Sequence, residues 1–331
     1  MEKILITGVN GFIGSNLAHY LLKNNYIIFG TVRPTSNISL IENIPINLII
    51  TDYKYFNQDT EIYDFDYIIH CASSVSDFLN SKNAKKGIFD LTKILYDKIV
   101  LKQKHLKKFI YISTSLVLGY KRLNISERNP GIPLKNNYYV YYKKKSEEYI
   151  IENCQKNQII YTILRPADVY GPRDRTSCFH ILKAIEKGIP VIVGKGNSIF
   201  PFCSSKVLCE AVYSSLTKEV SDNKIYTITS GLEINWKQFF EFFQNKFNKP
   251  QKIYIPPFFA KLIGRISLII HKIVPIFKPS LTPYRITRIT TNTSYDISDS
   301  IRDLNISTGY DYKEDLEDIY KWYIQIKDKA E

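Results

Sequence analysis

The sequence predicts an α/β fold: a doubly wound parallel sheet followed by a smaller C-terminal substrate domain. Three observations carry that expectation. Short apolar runs recur at residues 3–8, 26–32, 46–52, 66–72, 108–114 and 159–166, apolar throughout, as strands covered on both faces must be. Segments of helical spacing alternate with them, which is the pattern of parallel strands joined by crossover helices. A glycine-rich turn, "TGVNGFIG" (7–14), joins the first run to the first helical segment.

In "FIGSNLAHYLLKNN" after that turn, Ile13, Leu17, Leu21 and Leu22 share one helical face. Gly8, Gly11 and Gly14 stand between strand and helix, where a side chain would keep the backbone and helix N-terminus from a pyrophosphate. The second strand arrives on schedule at 26–32, so the turn reads as a dinucleotide cradle formed by Gly8, Asn10, Gly11, Phe12, Ile13 and Gly14. That second strand closes on Val32 and Arg33 with no acid. An acid there accepts the ribose hydroxyls of NAD, whereas a cation accommodates the extra phosphate of NADP, so Arg33 favours NADP(H), with NAD the alternative. Asp52, closing the third strand, is placed to touch the adenine, and His70, Ala72 and Ser73 line the end of the fourth.

The helix expected from about residue 139 opens with "YVYYKKK", which contains two Tyr–Lys pairs at four-residue spacing. Stepping about 100° per residue from Tyr139 puts Val140, Ile150, Ile151 and Cys154 in an arc of roughly 20° to 120°, the expected buried stripe. Tyr139, Lys143 and Glu147 fall on or beside it, while Tyr141 and Lys145 fall among Glu148, Glu152 and Gln155 on the solvated face. An unpaired lysine on an apolar face is expensive, so Lys143 needs polar company, which ribose hydroxyls and a neighbouring phenol supply. A phenol titrates near 10, and an adjacent ammonium favours the phenolate and brings it into acid–base range. Tyr139 is thereby the expected proton carrier in a hydride transfer, with Lys143 its partner. A further hydroxyl is expected from Ser113, Thr114 or Ser115 at the end of the fifth strand, and alternation does not choose among them.

The chain has 331 residues, enough for one large domain or two modest ones. Its net charge of +13 and pI near 9.2 favour anionic partners: phosphorylated small molecules, an anionic membrane surface or nucleic acid. The basic run "LKQKHLKK" (101–108) lacks the aromatic interleaving that stacks bases, so no nucleic acid is expected. Cys71, Cys154, Cys178, Cys203 and Cys209 show no metal or disulfide spacing and read as reduced thiols of a cytoplasmic protein, with no metal site. The chain enters a strand at once, leaving no room for a signal peptide, and contains no apolar run of spanning length.

Together, "TGVNGFIG" (7–14), "DYIIHCAS" (66–73), "ISTSLVLG" (112–119), "YVYYK" with Glu147 and "LRPADVYGPR" (164–173) resemble the extended short-chain dehydrogenase/reductase superfamily, its epimerase/dehydratase and 3β-hydroxysteroid dehydrogenase-like members. The resemblance continues into residues 281–304. It implies a Rossmann domain over 1–172 and a substrate-binding domain over 173–331, with the strand at 225–230 returning to the sheet. It assigns the hydroxyl to Thr114, five residues before Gly119, and a triad with Tyr139 and Lys143. Lys143 is also implied as a cofactor ligand, as is Pro166 in the turn between cofactor and substrate pockets. A homodimer is implied too. The chain departs from the family pattern at Asp168, usually Asn, at Lys206 and Val207, where an Asp is usual, and near Phe200, where an arginine binds the substrate diphosphate in many nucleotide-sugar enzymes. Arg173, Arg175 and Lys195 are candidate replacements.

Residues 255–284 form an apolar stretch broken by Lys261, Arg265, His271, Lys272 and Lys278. It reads either as a helix pair walling the substrate pocket or as a basic amphipathic segment in peripheral contact with an anionic membrane. The expectation is therefore an NADP(H)-dependent oxidoreductase acting on a keto or hydroxyl carbon of an activated deoxysugar, phosphorylated or nucleotide-linked. The alternatives are a nucleotide- or lipid-linked sugar 4-epimerase with retained NAD, a 3β-hydroxysteroid or dihydroflavonol-type dehydrogenase, and a catalytically silent binding protein.

Overall fold

The computed structural model of the chain describes residues 1–52, 64–76, 78–135, 137–251, 254–274 and 282–329. Lys278 and the rest of 275–281, part of the basic amphipathic stretch, lie outside the described residues, as does the side chain of Lys272. The first half runs β1 (Lys3–Thr7), α1 (Phe12–Leu22), β2 (Ile27–Val32), β3 (Asn47–Ile50) and β4 (Tyr67–His70). A helical segment follows as α2 (Ser81–Ala84), a π-helical turn (Lys85–Asp90) and α3 (Leu91–Lys98), and then come β5 (Lys108–Ile112), α4 (Tyr138–Lys156) and β6 (Tyr161–Pro166). The second half contains β7 (Asp168–Tyr170), α5 (Cys178–Glu186), β8 (Ile199–Phe200), β9 (Phe202–Ser204), α6 (Ser205–Thr217), β10 (Lys224–Ile228), β11 (Ile234–Asn235), α7 (Trp236–Lys246), α8 (Pro257–Ile273), α9 (Pro283–Ile289) and α10 (Tyr312–Ile326).

Seven of these strands form one sheet in the order β10-β6-β5-β4-β1-β2-β3, and every neighbouring pair is parallel. The inner strands β1, β4, β5 and β6 are buried on both faces, as their unbroken apolar runs require, whereas the edge strand β3 is largely exposed. Ile4 and Ile6 pack with Leu17 and Leu21 of α1 and Leu208 and Val212 of α6, while Leu5, one residue out of phase, packs with Leu95 and Tyr96 of α3 and Ile150 and Cys154 of α4. Chain direction reverses between β1 and β4, and that switch point opens the cleft described below. The strand expected at 225–230 is β10, paired to β6, and α6 returns with it to cover the α1 face.

A second cluster, rich in aromatics, lies beyond β6: Tyr170, Phe200, Phe202, Trp236 and Phe239 pack with Trp322 and Tyr323 of α10. Phe200 is 1% exposed and its ring stacks on Trp236 at 4.0 Å between centroids. That position is therefore core. The basic run at 101–108 ends in lysines used internally: Lys107 pairs with Glu2 at 2.5 Å, and buried Lys108 donates to Ser215 O at 2.7 Å and Ser221 Oγ at 3.0 Å.

The join of β1 to α1 is the tightest point in the sheet. A Cβ on Gly14 would sit 2.3 Å from Gly8 O, and one on Gly8 would sit 2.9 Å from Ala72 Cα with φ already at +67°. Gly14→Ala is expected to destabilise the fold by roughly 1–3 kcal/mol, the range for overpacking a tight contact. Urea unfolding checks this, and a midpoint equal to that of the unmutated chain would refute the tight contact.

Candidate active site

The glycine turn leaves α1 open at its N-terminus: Gly11 donates to Gly8 O at 3.0 Å, its own extended backbone starts the helix, and among the described residues no side chain caps the first turn and no acid stands in it. Free N–H groups at a helix start attract an anion. The turn that leads into them lines a cavity of about 660 Å³ through Gly8, Asn10 and Gly11, with Arg33, Asp52 and Ala72 among the other lining residues. Of the expected cofactor residues, these six meet there; Phe12, Ile13, Gly14, Lys143 and Pro166 do not line it. Arg33 is exposed on the cavity rim.

The carboxyl ends of β1 and β4 are latched together beneath this cavity. Thr7 Oγ1 accepts from Cys71 N and Ala72 N, both at 3.2 Å, and its hydroxyl reaches His70 Nδ1 at 2.7 Å. The proton order that satisfies the network has Thr7 donating to Nδ1 and Nε2–H donating to Thr92 Oγ1 at 3.0 Å, with Thr92 donating onward to Ile88 O. Burial, then the Lys143 charge, push the imidazole down to about 3, so His70 stays neutral. Ser73 Oγ, at the cavity wall, is buried and meets no hydrogen-bond partner among the described residues. The glycine cradle and this orphaned hydroxyl both fit a bound dinucleotide.

The α4 helix presents its residues in the phase expected from the sequence. Lys143 is 3% exposed, whereas Tyr141 is 55% exposed and Lys145 pairs with Glu148 in solvent. Asn137 caps the helix through Val140 N at 3.1 Å, which sets Tyr139 in its first turn. Glu147, one turn past Lys143, is buried and holds Arg165 of β6 through two contacts, 2.7 and 3.0 Å. This bidentate pair ties α4 to the sheet. Arg165 also meets Glu127.

Lys143 Nζ donates to Ile112 O at 2.8 Å and lies 4.9 Å from the Tyr111 ring and 5.9 Å from that of Tyr139. Burial pushes the ammonium down to about 8, with Cys71 and Glu147 opposing. Thr114 stands beside the Tyr139 phenol and lowers it, while its Oγ1 accepts from Leu116 N at 3.4 Å. Of its two neighbours, Ser113 Oγ is buried without a partner among the described residues, and Ser115 turns to Tyr295, whose hydroxyl donates to Gly119 O. The geometry thus separates three hydroxyls that alternation leaves equivalent.

Burial raises the Tyr139 phenol to about 12, opposed by Thr114 and by Arg288. Arg288, from α9, is not singled out in the sequence; it joins Lys143, whose ammonium bonds the Ile112 carbonyl and lies 5.9 Å from the Tyr139 ring. Arg288 lies 5.6 Å from the Tyr284 ring and is ion-paired with Asp168. Asp168, the departure from the family's Asn, thereby has a function in holding that guanidinium. The candidate replacements lie elsewhere: Arg173 donates to Asn16 Oδ1 of α1 at 2.7 Å, and Lys195 is exposed. Val207 is in the sheet core.

Residues 4–229 match the family described as the NAD dependent epimerase/dehydratase family. The chain is 25% identical over 288 residues to the UDP-glucose 4-epimerase of Vibrio cholerae, 80% of this chain and 82% of that one. It is 23% identical over 192 residues, 57% of each chain, to the N-acetyl-alpha-D-glucosaminyl-diphospho-ditrans,octacis-undecaprenol 4-epimerase of Escherichia coli O157:H7. A solved UDP-glucuronic acid 4-epimerase from Bacillus cereus, in complex with UDP-glucuronic acid and NAD, shares the fold at a TM-score of 0.75 and 24% identity, covering 98% of this chain and 99% of that one. With the matched segment spanning the whole parallel sheet, the chain belongs to the NAD-dependent epimerase/dehydratase family of extended short-chain dehydrogenases/reductases, and it is an enzyme of that family.

Proposed function

We propose that the chain epimerises, at carbon 4, a hexose carried on a diphosphate, using a nicotinamide dinucleotide that stays bound between turnovers. The observation that supports this most is buried Lys143, bonded to Ile112 O at the end of β5 and 5.9 Å from the Tyr139 ring, together with a cleft suited to a dinucleotide. The oxidoreductase expectation rested on Arg33. On the rim of the cavity, a planar guanidinium can meet a 2′-phosphate or stack along the adenine of NAD, so it does not separate the two cofactors. The relatives favour the 4-epimerase alternative, and the Bacillus neighbour holds NAD. The substrates in the names of these three share one element, a sugar on a diphosphate.

The α1 N-terminus and the Gly8–Gly11 backbone would hold the pyrophosphate, and Asp52 and Arg33 the adenosine end. Among the described residues Ile112 O is the acceptor that Lys143 meets, leaving two N–H bonds of its ammonium for ribose hydroxyls. When bound, the nicotinamide supplies a hydride acceptor and donor and, oxidised, a positive charge that favours the phenolate. Tyr139 takes the proton of the 4-hydroxyl and later returns it, while Thr114 donates to the phenolate oxygen. Arg288 holds the diphosphate and lowers the phenol. Inversion needs both faces of the 4-keto sugar to meet the same hydride, so the grip has to lie on the diphosphate and not on the sugar ring.

Purified protein given a UDP-hexose is expected to form the 4-epimer without added cofactor, followed by NMR of the product; NADPH consumed one-for-one with product would replace this reading with the reductase. Tyr139→Phe is expected to lower kcat by about 10²–10⁴-fold, the scale of one acid–base group, with cofactor affinity retained. Unchanged turnover would remove Tyr139 from the mechanism. For Lys143 the charged form binds ribose and its depressed pKa is about 8, so dinucleotide affinity should weaken as pH rises through that value. Calorimetric titration between pH 6 and 10 tests this, and a Lys143→Met chain showing the same pH dependence would exclude Lys143 as its source.

A further inference from the structure

The α8 helix turns its small side to the protein and its large side outward. Ala260 and Gly264 are buried, and a Cβ on Gly264 would come 2.9 Å from Ile286 Cδ1 of α9. His271 continues that side, its ring 4.3 Å from Phe78. On the opposite side, eight apolar side chains from Phe258 to Ile273 are 43–75% exposed. At about 100° per residue they fill a continuous arc of roughly 140°, from Phe258 to Ile263, while Ala260, Gly264, Ser267 and His271 occupy the protein-facing arc. Lys261 and Arg265, both exposed, line the edge of the apolar arc.

An exposed apolar face of this extent marks a contact surface, and the charge around it says of what kind. Between Glu241 and Asp296 the sequence contains nine Lys and Arg and no Asp or Glu. A second copy of the chain, meeting this face by a two-fold axis, would set cations against cations. An anionic bilayer satisfies both features, since its acyl boundary accepts the apolar arc and its phosphates the rim cations. Among the described residues no helix is long and apolar enough to cross a membrane.

We propose that α8 is an interfacial helix that seats the chain on an anionic bilayer, with Lys261 and Arg265 at the lipid phosphates. The inference is independent of the reaction proposed above. Docking places α9, which carries Arg288 and packs against the small side of α8, directly behind the lipid-facing helix.

Flotation of the full chain with phosphatidylglycerol–phosphatidylcholine vesicles tests the proposal. The chain is expected to float, less so on phosphatidylcholine alone and less as salt rises. A chain carrying Phe258→Asp, Ile269→Asp and Ile273→Asp, all at exposed positions, should stay at the bottom with an unchanged melting curve. Lys261→Glu with Arg265→Glu should weaken binding roughly tenfold or more. Failure of the unmutated chain to float on anionic vesicles overturns the proposal, as does equal flotation of the triple-Asp chain. Sedimentation showing a dimer that the triple-Asp chain loses, without lipid retention, would assign the face to a second copy instead.

Discussion

The constraint on which the site depends is the distance between the β1–α1 turn and the end of β4. Gly8 lies so near Ala72 that a single added carbon would collide with its backbone, and the two strand ends are tied by Thr7 Oγ1, which accepts both N–H groups that follow His70. Those N–H groups have no strand partner once the sheet opens at its switch point, and leaving them unpaired in a buried site would cost free energy on the order of 1–3 kcal/mol each. The threonine satisfies them and, through His70 and Thr92, is anchored to the helix across the sheet. Thr7, His70 and Thr92 spend their polar groups on protein, while among the described residues no side chain caps the α1 N–H groups above them.

A second constraint is electrostatic. Lys143 is an ammonium held 3% exposed with a carbonyl as its hydrogen-bond partner, and Tyr139 is a phenol raised by burial. Each is pushed toward its neutral form, since burial disfavours charge of either sign. A site poised in this way responds strongly to an added charge, because the same low dielectric that penalises the isolated ion amplifies its interactions. Glu147 relieves Lys143 only through space, both its carboxylate oxygens being engaged by Arg165. The pair also fixes α4 against β6, so that the lysine one turn away and the tyrosine two turns away are placed in part by a buried ion pair.

What was legible in the sequence was local. Three glycines at fixed spacing, six apolar strands and the phase of α4 each depend on residues within a few turns of one another, and the structure has them where periodicity puts them. The pieces built from distant segments were not legible. Arg288 reaches the Tyr139 site from almost 150 residues downstream, on a seven-residue helix, and Asp168 meets it from a three-residue strand, lengths too short to show a period. Lys108, the end of the basic run at 101–108, is buried by carbonyls more than a hundred residues away. Arg33 was read correctly as lying at the end of β2, but position alone does not convert a rim guanidinium into a choice of cofactor.

The stretch from 255 shows why an amphipathic pattern in one dimension can support two readings at once. A helix has more than two sides. The sequence reading opposed a helix pair beside the pocket to a membrane-facing segment, as if one apolar face had to serve one or the other. In α8 the helix-pair contact with α9 is made by Ala260 and Gly264, whose lack of bulk allows close approach but contributes little to any hydrophobic stripe. The residues that produce the visible stripe, from Phe258 to Ile273, are therefore not the ones that pack. A hydrophobic pattern identifies what avoids water, whereas small residues identify what is touched closely, and in this helix the two fall on different sides.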